Sequence, residues 1–175
     1  MNDETLPGLV LVNTGDGKGK TTAALGAALR ALSYDWRVLM IQFIKGKRSS
    51  GERQIAAKLP GLVIRAGGLG LIRGKDPQRH RQKARDTWQQ ACREVASDQW
   101  DLVILDEIFL ALGYGFVSIP ELVQLIQKRP PRLHLILTGR GCPPEIMELA
   151  DTVTEMRNLK HHLQAGVSTR RGIEY

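Results

Sequence analysis

The chain has 175 residues and carries 25 Lys and Arg against 18 Asp and Glu, a formal net charge of +7. That length supports one domain with a real core, and 42% hydrophobic with 25% charged residues is ordinary for a soluble globular protein. No apolar run approaches the roughly 20 residues of a membrane span, the start Met1-Asn2-Asp3-Glu4 has no apolar h-region, and Cys92 and Cys142 form neither a disulfide framework nor a metal-ligand spacing. Neither a membrane span, an export signal nor a disulfide scaffold is expected, and a reducing cytoplasm is the expected compartment.

Residues 9–13 read as an apolar strand, which a glycine-rich loop follows before an Ala/Leu-repeating helix over 20–32. A second strand, 37–43, is almost wholly apolar, as a strand covered on both faces must be. A short helix is expected from Gly51 to Leu59, stopped by Pro60-Gly61, then a short strand over 62–65. Residues 66–77 contain Gly67, Gly68, Gly70 and Gly74 and read as a mobile loop. A long polar helix over 77–97 places Ala84, Trp88, Ala91, Cys92 and Val95 inward. The run Leu102-Val103-Ile104-Leu105 is another buried strand, ending in Asp106-Glu107 ahead of a helix over 108–114. Ser118, Pro120 and Glu121 mark a capped helix that ends before Pro130-Pro131. Strand 134–138, loop 139–142, a helix to about Ala150 and strand 152–156 complete the pattern. Residues 1–7 form a short extension and 158–175 a polar tail, with no internal repeat or linker. Strands alternating with helices imply an α/β fold with a mostly parallel sheet, whose ligands sit at the carboxyl ends of the strands.

The loop Thr14-Gly15-Asp16-Gly17-Lys18-Gly19-Lys20-Thr21-Thr22 carries the chemistry. It departs from G-x-x-x-x-G-K-[ST] because Thr14 stands where the first glycine would. Three glycines in five residues still let backbone N–H groups approach a polyphosphate, and the helix N-terminus favours an anion. Lys20 supplies a point charge and Thr21 a hydroxyl for magnesium. Asp106 or Glu107, at a strand end, can hold the same ion directly or through water; the alternative for Asp106 is a helix N-cap. Arg140, between glycines, either clamps phosphate or is a surface residue of a turn. Gln42 and Lys45 follow the second strand, with a solvated loop as the alternative. Cys142 reads as structural, and His161 and His162 as surface residues. The basic run from Arg73 to Arg85 fits a solvated helix face as well as it fits a ligand.

Taken in order, these motifs resemble one family. Thr14 to Ala24, Val38 to Gly46, Gly51-Glu52-Arg53, Leu102 to Glu107, Leu137 to Gly141, Ala150 to Arg157, Lys160-His161, and Ala165-Gly166-Val167 through Gly172-Ile173-Glu174-Tyr175 are similar to the corrinoid adenosyltransferases of the CobA/CobO/BtuR type. The resemblance runs from about Gly8 to Tyr175. It implies a RecA-like P-loop NTPase fold, commonly a homodimer, and transfer of the 5′-deoxyadenosyl group of ATP to cobalt(I) of a corrinoid with release of triphosphate. Gly15, Asp16, Gly17, Lys18, Gly19, Lys20, Thr21 and Thr22 would then hold the triphosphate, with Gln42 and Arg140 as further nucleotide contacts. Thr21 and Glu107, with Asp106, match the magnesium positions. Cobalt(I) is itself the nucleophile, so no catalytic base is called for. Lys20 and Arg140 stabilise charge, and a reductase supplies cobalt(I). Family members commonly carry a Gly-Phe-Thr-Trp run that packs near the corrinoid, whereas the matching segment here, Gly68 to Gly74, has no aromatic residue. Two other readings stay open: a relative that binds ATP without transferring the adenosyl group, and a RecA-like ATPase acting on nucleic acid, suggested by the positive charge.

Overall fold

The computed structural model describes residues 6–46, 51–70 and 77–174. Six parallel strands form one sheet in the order β3-β2-β4-β5-β1-β6. They are β1 (Val10–Thr14), β2 (Val38–Gln42), β3 (Leu62–Ala66), β4 (Leu102–Asp106), β5 (His134–Thr138) and β6 (Thr152–Glu155). The helices are α1 (Lys20–Leu32), α2 (Gly51–Ala56), α3 (Pro77–Ala96), α4 (Ile108–Gly113), α5 (Ile119–Lys128) and α6 (Pro144–Leu149), and a 3₁₀ turn spans His162–Ala165.

The two-residue period of the strands divides the core. Val38 and Met40 of β2, with Leu102 and Ile104 of β4, face α1 and α2. Their neighbours Leu39, Ile41, Val103 and Leu105 face α3 to α6 and pack with Trp88, Ile108, Leu122 and Ile126. All residues of β2 and β4 are therefore buried, which explains their unbroken apolar sequences. Ala24, Ala28 and Ala31 form the buried stripe of α1, small enough for the helix to lie close to the sheet. On α3, Ala84, Trp88, Ala91 and Val95 point inward as their spacing predicts, with Cys92 half-buried beside them. Ser118 caps α5 in a reciprocal capping box: its Oγ accepts from the Glu121 N–H while its own N–H donates to Glu121 Oε2 at 2.9 Å.

Two sequence expectations change. Asp106 is not the N-cap of α4. Glu107 is, in the left-handed region at φ 60°, ψ 30°. The start of the glycine-rich 66–77 segment is also no free loop. Gly67 N–H donates to Gln42 O and its carbonyl accepts from Thr87 Oγ1, while Gly68 and Gly70 N–H bond Lys45 O and Ile44 O. A Cβ on Gly67 would sit 2.2 Å from Thr87, and one on Gly68 2.1 Å from the Ile44 carbonyl oxygen, so packing demands both glycines. The remainder, residues 71–76, lies outside the described residues. No described helix is long and apolar enough to cross a membrane.

Candidate functional site

The phosphate loop joins the end of β1 to α1 and sits at the carboxyl edge of the sheet, where β1 separates β5 from β6. Thr14 occupies the first position because it is built into the floor. It is buried, and its Oγ1 accepts the Cys142 N–H at 3.2 Å. Gly15 (φ 92°) and Gly19 (φ 113°) take left-handed conformations that favour glycine. Gly15 and Gly17 meet a second constraint from the residues that follow β6. A Cβ on either would lie 2.5 or 2.6 Å from Met156 O, and the Gly17 N–H already donates to that carbonyl at 2.6 Å. The sequence reading assigned these glycines to phosphate approach alone. In the structure Gly17 spends its donor on Met156 O just beyond β6, and the N–H groups of Lys20, Thr21 and Thr22, which lack intrahelical partners, remain for an anion.

Lys20 is buried, and its Nζ donates to the carbonyls of Gly15 at 2.7 Å and Gly17 at 2.6 Å. Burial pushes its pKa below the ordinary lysine value, against the attraction of Glu107. Beneath it, Asp106 is fully buried and saturated: Oδ1 accepts from Thr21 Oγ1 and Thr138 Oγ1, each at 2.8 Å, and Oδ2 from Gln42 Nε2 at 3.3 Å. Glu107 points into the cavity above. Its N–H donates to Thr138 Oγ1 at 3.0 Å. Burial, and then the neighbouring Asp106, raise its carboxyl above the usual range, although Lys20, Arg140 and Lys45 pull the other way. Its buried Oε2 has no hydrogen-bond partner.

These groups open into a cavity of about 570 Å³. One part is ionic: Asp16, Gly17, Lys18, Gly19, Lys20, Thr21, Thr22, Lys45, Glu52, Glu107 and Arg140 line it. Another is apolar, built from Leu25 and Leu29 of α1, Ile55 and Leu59 around α2, and Leu62 of β3. Leu29 and Ile55 are 53% and 48% exposed and present their apolar surface to this cavity. Arg140 reaches the mouth as an exposed side chain 3.7 Å from Asp16. Gln42 does not line the cavity. It is fully buried and supports Asp106 from below, so the expected nucleotide contact is replaced by a hydrogen bond to a carboxylate. Cys142 is buried, its thiol pushed up to about 12 by burial, as a structural residue should be. His161 is not merely at the surface: it stacks on His162 and lines the cavity.

Sequence reasoning missed the apolar wall, which belongs to helix residues with no motif, and the Lys45–Glu52 ion pair at 2.7 Å. It also missed the contribution of residues 172–174, which line the same cavity.

The donor set fits a magnesium ion. Among the described residues no group of three or more His, Cys, Asp or Glu side chains is arranged for a metal. Magnesium, however, typically takes one or two protein oxygens and completes its shell with phosphate and water. Glu107 offers an unpartnered buried oxygen for it, and Thr21 a hydroxyl held in place by Asp106.

The family described as ATP:corrinoid adenosyltransferase BtuR/CobO/CobP matches residues 7–175. The chain belongs to that family. A corrinoid adenosyltransferase of Escherichia coli strain K12 is 40% identical over 169 residues, covering 96% of this chain and 86% of the relative. That of Pseudomonas aeruginosa is 39% identical over 170 residues, covering 96% and 84%, and the corrinoid adenosyltransferase CobA of Salmonella typhimurium is 37% identical over 169 residues, covering 96% and 86%. Among solved structures, the flagellar accessory protein FlaH of Methanocaldococcus jannaschii superposes with a TM-score of 0.57 at 12% identity, over 86% of this chain and 72% of that one. A KaiC-like protein of Pyrococcus horikoshii gives 0.56 at 20% identity, over 86% and 73%. These structural likenesses speak for the P-loop fold alone.

Proposed function

We propose that this protein transfers the 5′-deoxyadenosyl group of ATP to cobalt(I) of a corrinoid and releases triphosphate. The ordered family match over residues 7–175 carries this reading, and the two-part cavity gives it physical form. In the reaction the cobalt(I) electron pair forms a bond to C5′ of the ribose. The C5′–O bond breaks, and its pair leaves with the triphosphate. No proton moves at the reacting carbon, so no catalytic base is needed.

The chain's own work is to hold the leaving group and align it. The N–H groups at the start of α1 and the Lys20 ammonium meet charge that grows on triphosphate as the bond breaks. Lys20 begins bonded to Gly15 O and Gly17 O and has three donors in all, so it can face an anion without releasing the loop. Arg140 adds a planar donor at the mouth. Lys18, Gly19 and Thr22 line the phosphate seat. Thr21 and Glu107 would hold magnesium, with Asp106 orienting the Thr21 hydroxyl. A magnesium ion there would neutralise part of the triphosphate charge. The exposed aliphatics of α1 and α2 offer an apolar surface that excludes water from the reacting centre.

The proposal carries with it a reductase supplying cobalt(I) and a homodimeric assembly, which follow the family resemblance, and a cytoplasmic setting, which follows the absence of a disulfide framework. Anaerobic incubation with ATP, magnesium and reduced cobalamin or cobinamide tests it, by the appearance of a light-sensitive cobalt–carbon product with triphosphate as co-product. Intact ATP binding without that product refutes adenosyl transfer. Release of orthophosphate stimulated by DNA or RNA would favour a nucleic-acid ATPase instead.

A further inference from the structure

Of the loop lysines, Lys20 is turned inward, but Lys18 is turned away, toward residues far along the chain. Its Nζ donates to Ile173 O at 3.0 Å and to Glu174 Oε1 at 2.7 Å. Glu174 keeps only 13% of its side-chain surface exposed, and His162 Nε2 lies 3.7 Å from the same oxygen. The segment that delivers it is turned locally: the Glu174 and Ile173 N–H groups bond Arg170 O, and His161 caps the 162–165 turn through the Leu163 N–H. Gly172, Ile173 and Glu174 line the nucleotide cavity together with Lys18, Gly19 and Thr22.

A carboxylate in this position is an anion inside an anion site. The hydrogen bond and charge of Lys18 hold the Glu174 carboxyl below the ordinary glutamate range. A phosphate chain entering the cavity meets a negative charge already seated on one of the loop cations. Both cannot occupy Lys18 at close range without like-charge repulsion.

We infer that Glu174 is a positioning residue of the nucleotide site, an internal anion that holds Lys18 and competes with the phosphate chain for it, thereby setting how tightly the loop retains ATP and triphosphate. The inference rests on the reading that this cavity holds the phosphate chain of ATP. Its use follows from the chemistry. The product is a polyanion on a loop rich in cations, and its departure can limit turnover. An anion that returns to Lys18 offsets part of that grip.

Titration calorimetry of the full chain with inorganic triphosphate and magnesium tests this without any corrinoid chemistry. Glu174→Gln is expected to tighten triphosphate by about two- to five-fold, the worth of a partly exposed ion pair. Glu174→Asp should restore the wild-type affinity. In a Lys18→Met background, Glu174→Gln should have no further effect. In steady state, Glu174→Gln lowers KM for ATP and makes added triphosphate a stronger inhibitor. Unchanged or weakened triphosphate binding in Glu174→Gln overturns the inference, and so does equal tightening with Lys18 absent. Triphosphate binding with no cobalt–carbon product would strike only the adenosyl-transfer reading. No triphosphate binding in the wild type would strike both.

Discussion

Glu107 is held in a state that costs stability, so Glu107→Gln should stabilise the nucleotide-free protein while impairing magnesium-dependent nucleotide binding. Its carboxyl lies above the ordinary range because burial and Asp106 together outweigh the attraction of Lys20, Arg140 and Lys45, and its buried Oε2 is without a partner. For an acid whose folded pKa exceeds its unfolded value, ionisation opposes folding: the deficit is absent below the unfolded pKa and develops as pH rises through the folded one. An uncompensated buried acceptor costs about 1–3 kcal/mol. The amide still needs a partner, so a gain near the lower end, about 1 kcal/mol, is expected at pH 8, or roughly 2–4 °C in Tm for a chain of this size. The advantage should shrink toward zero as pH falls below the ordinary glutamate range. Thermal unfolding in EDTA between pH 4 and about pH 8 reads this directly. A variant that is less stable at pH 8, or whose advantage grows as pH falls, refutes the reasoning.

Gly17→Ala places a Cβ 2.6 Å from Met156 O and 2.7 Å from Arg157 O. It should lower stability by about 1–3 kcal/mol through overpacking and weaken ATP binding, measured by thermal unfolding and calorimetry. Gly26→Ala has nothing within 4 Å of the added carbon, and in mid-helix it should instead stabilise by about 0.5–1 kcal/mol. Glu121 is held down at about 2 by the Ser118 N–H and Arg85. A depressed acid stabilises above its unfolded pKa and loses that contribution as pH falls toward its folded one. Glu121→Gln, which removes the titrating group, should therefore flatten the acid limb of the stability curve between the ordinary glutamate pKa and about pH 2, followed by urea unfolding, whereas Ser118→Ala, which keeps the backbone N–H, should cost about 1 kcal/mol through the lost cap and leave most of that limb in place.

The fold was legible where burial writes itself into local sequence. β2 and β4 are apolar throughout because both faces are covered, and α3 is found from Ala84, Trp88, Ala91 and Val95 at helical spacing. Strand and helix limits came within a few residues, the largest error being α2, which stops at Ala56 rather than Leu59. The loop and its two carboxylates were legible because strand, glycines, Lys-Thr and an acidic strand end occur in fixed local order. What sequence could not assign was which of two adjacent acids is spent. Asp106 is saturated by Thr21, Thr138 and Gln42, residues on three separate elements. The same holds for Gln42, whose position after β2 suggested a ligand contact and whose side chain instead turns beneath Asp106. The pressure of Met156 and Arg157 on Gly15 and Gly17, and of Glu174 on Lys18, joins residues about 140 or 155 positions apart, and no local pattern encodes it.

The positive charge that raised a nucleic-acid reading has a structural use in the described residues. On α3, Arg81 donates to Gly115 O at 3.1 Å and lies over the Phe116 ring, while Arg85 donates to Phe116 O and pairs with Glu121 at 2.8 Å. These side chains fasten α3 to the turn ahead of α5. Within the cavity each cation meets a carboxylate: Lys18 has Glu174, Lys45 has Glu52, Arg140 has Asp16, and Lys20 is drawn to Glu107. Without such pairing, four cations around one loop would repel one another in the empty state. Pairs of this kind, partly exposed, contribute only about 0–1 kcal/mol each, so exchanging a carboxylate for a phosphate oxygen or a metal-bound phosphate costs little. A polyanion can take over several of these cations at once, while an isolated anion takes over one. On the proposed function, such pairing would favour the intact triphosphate chain over small anions.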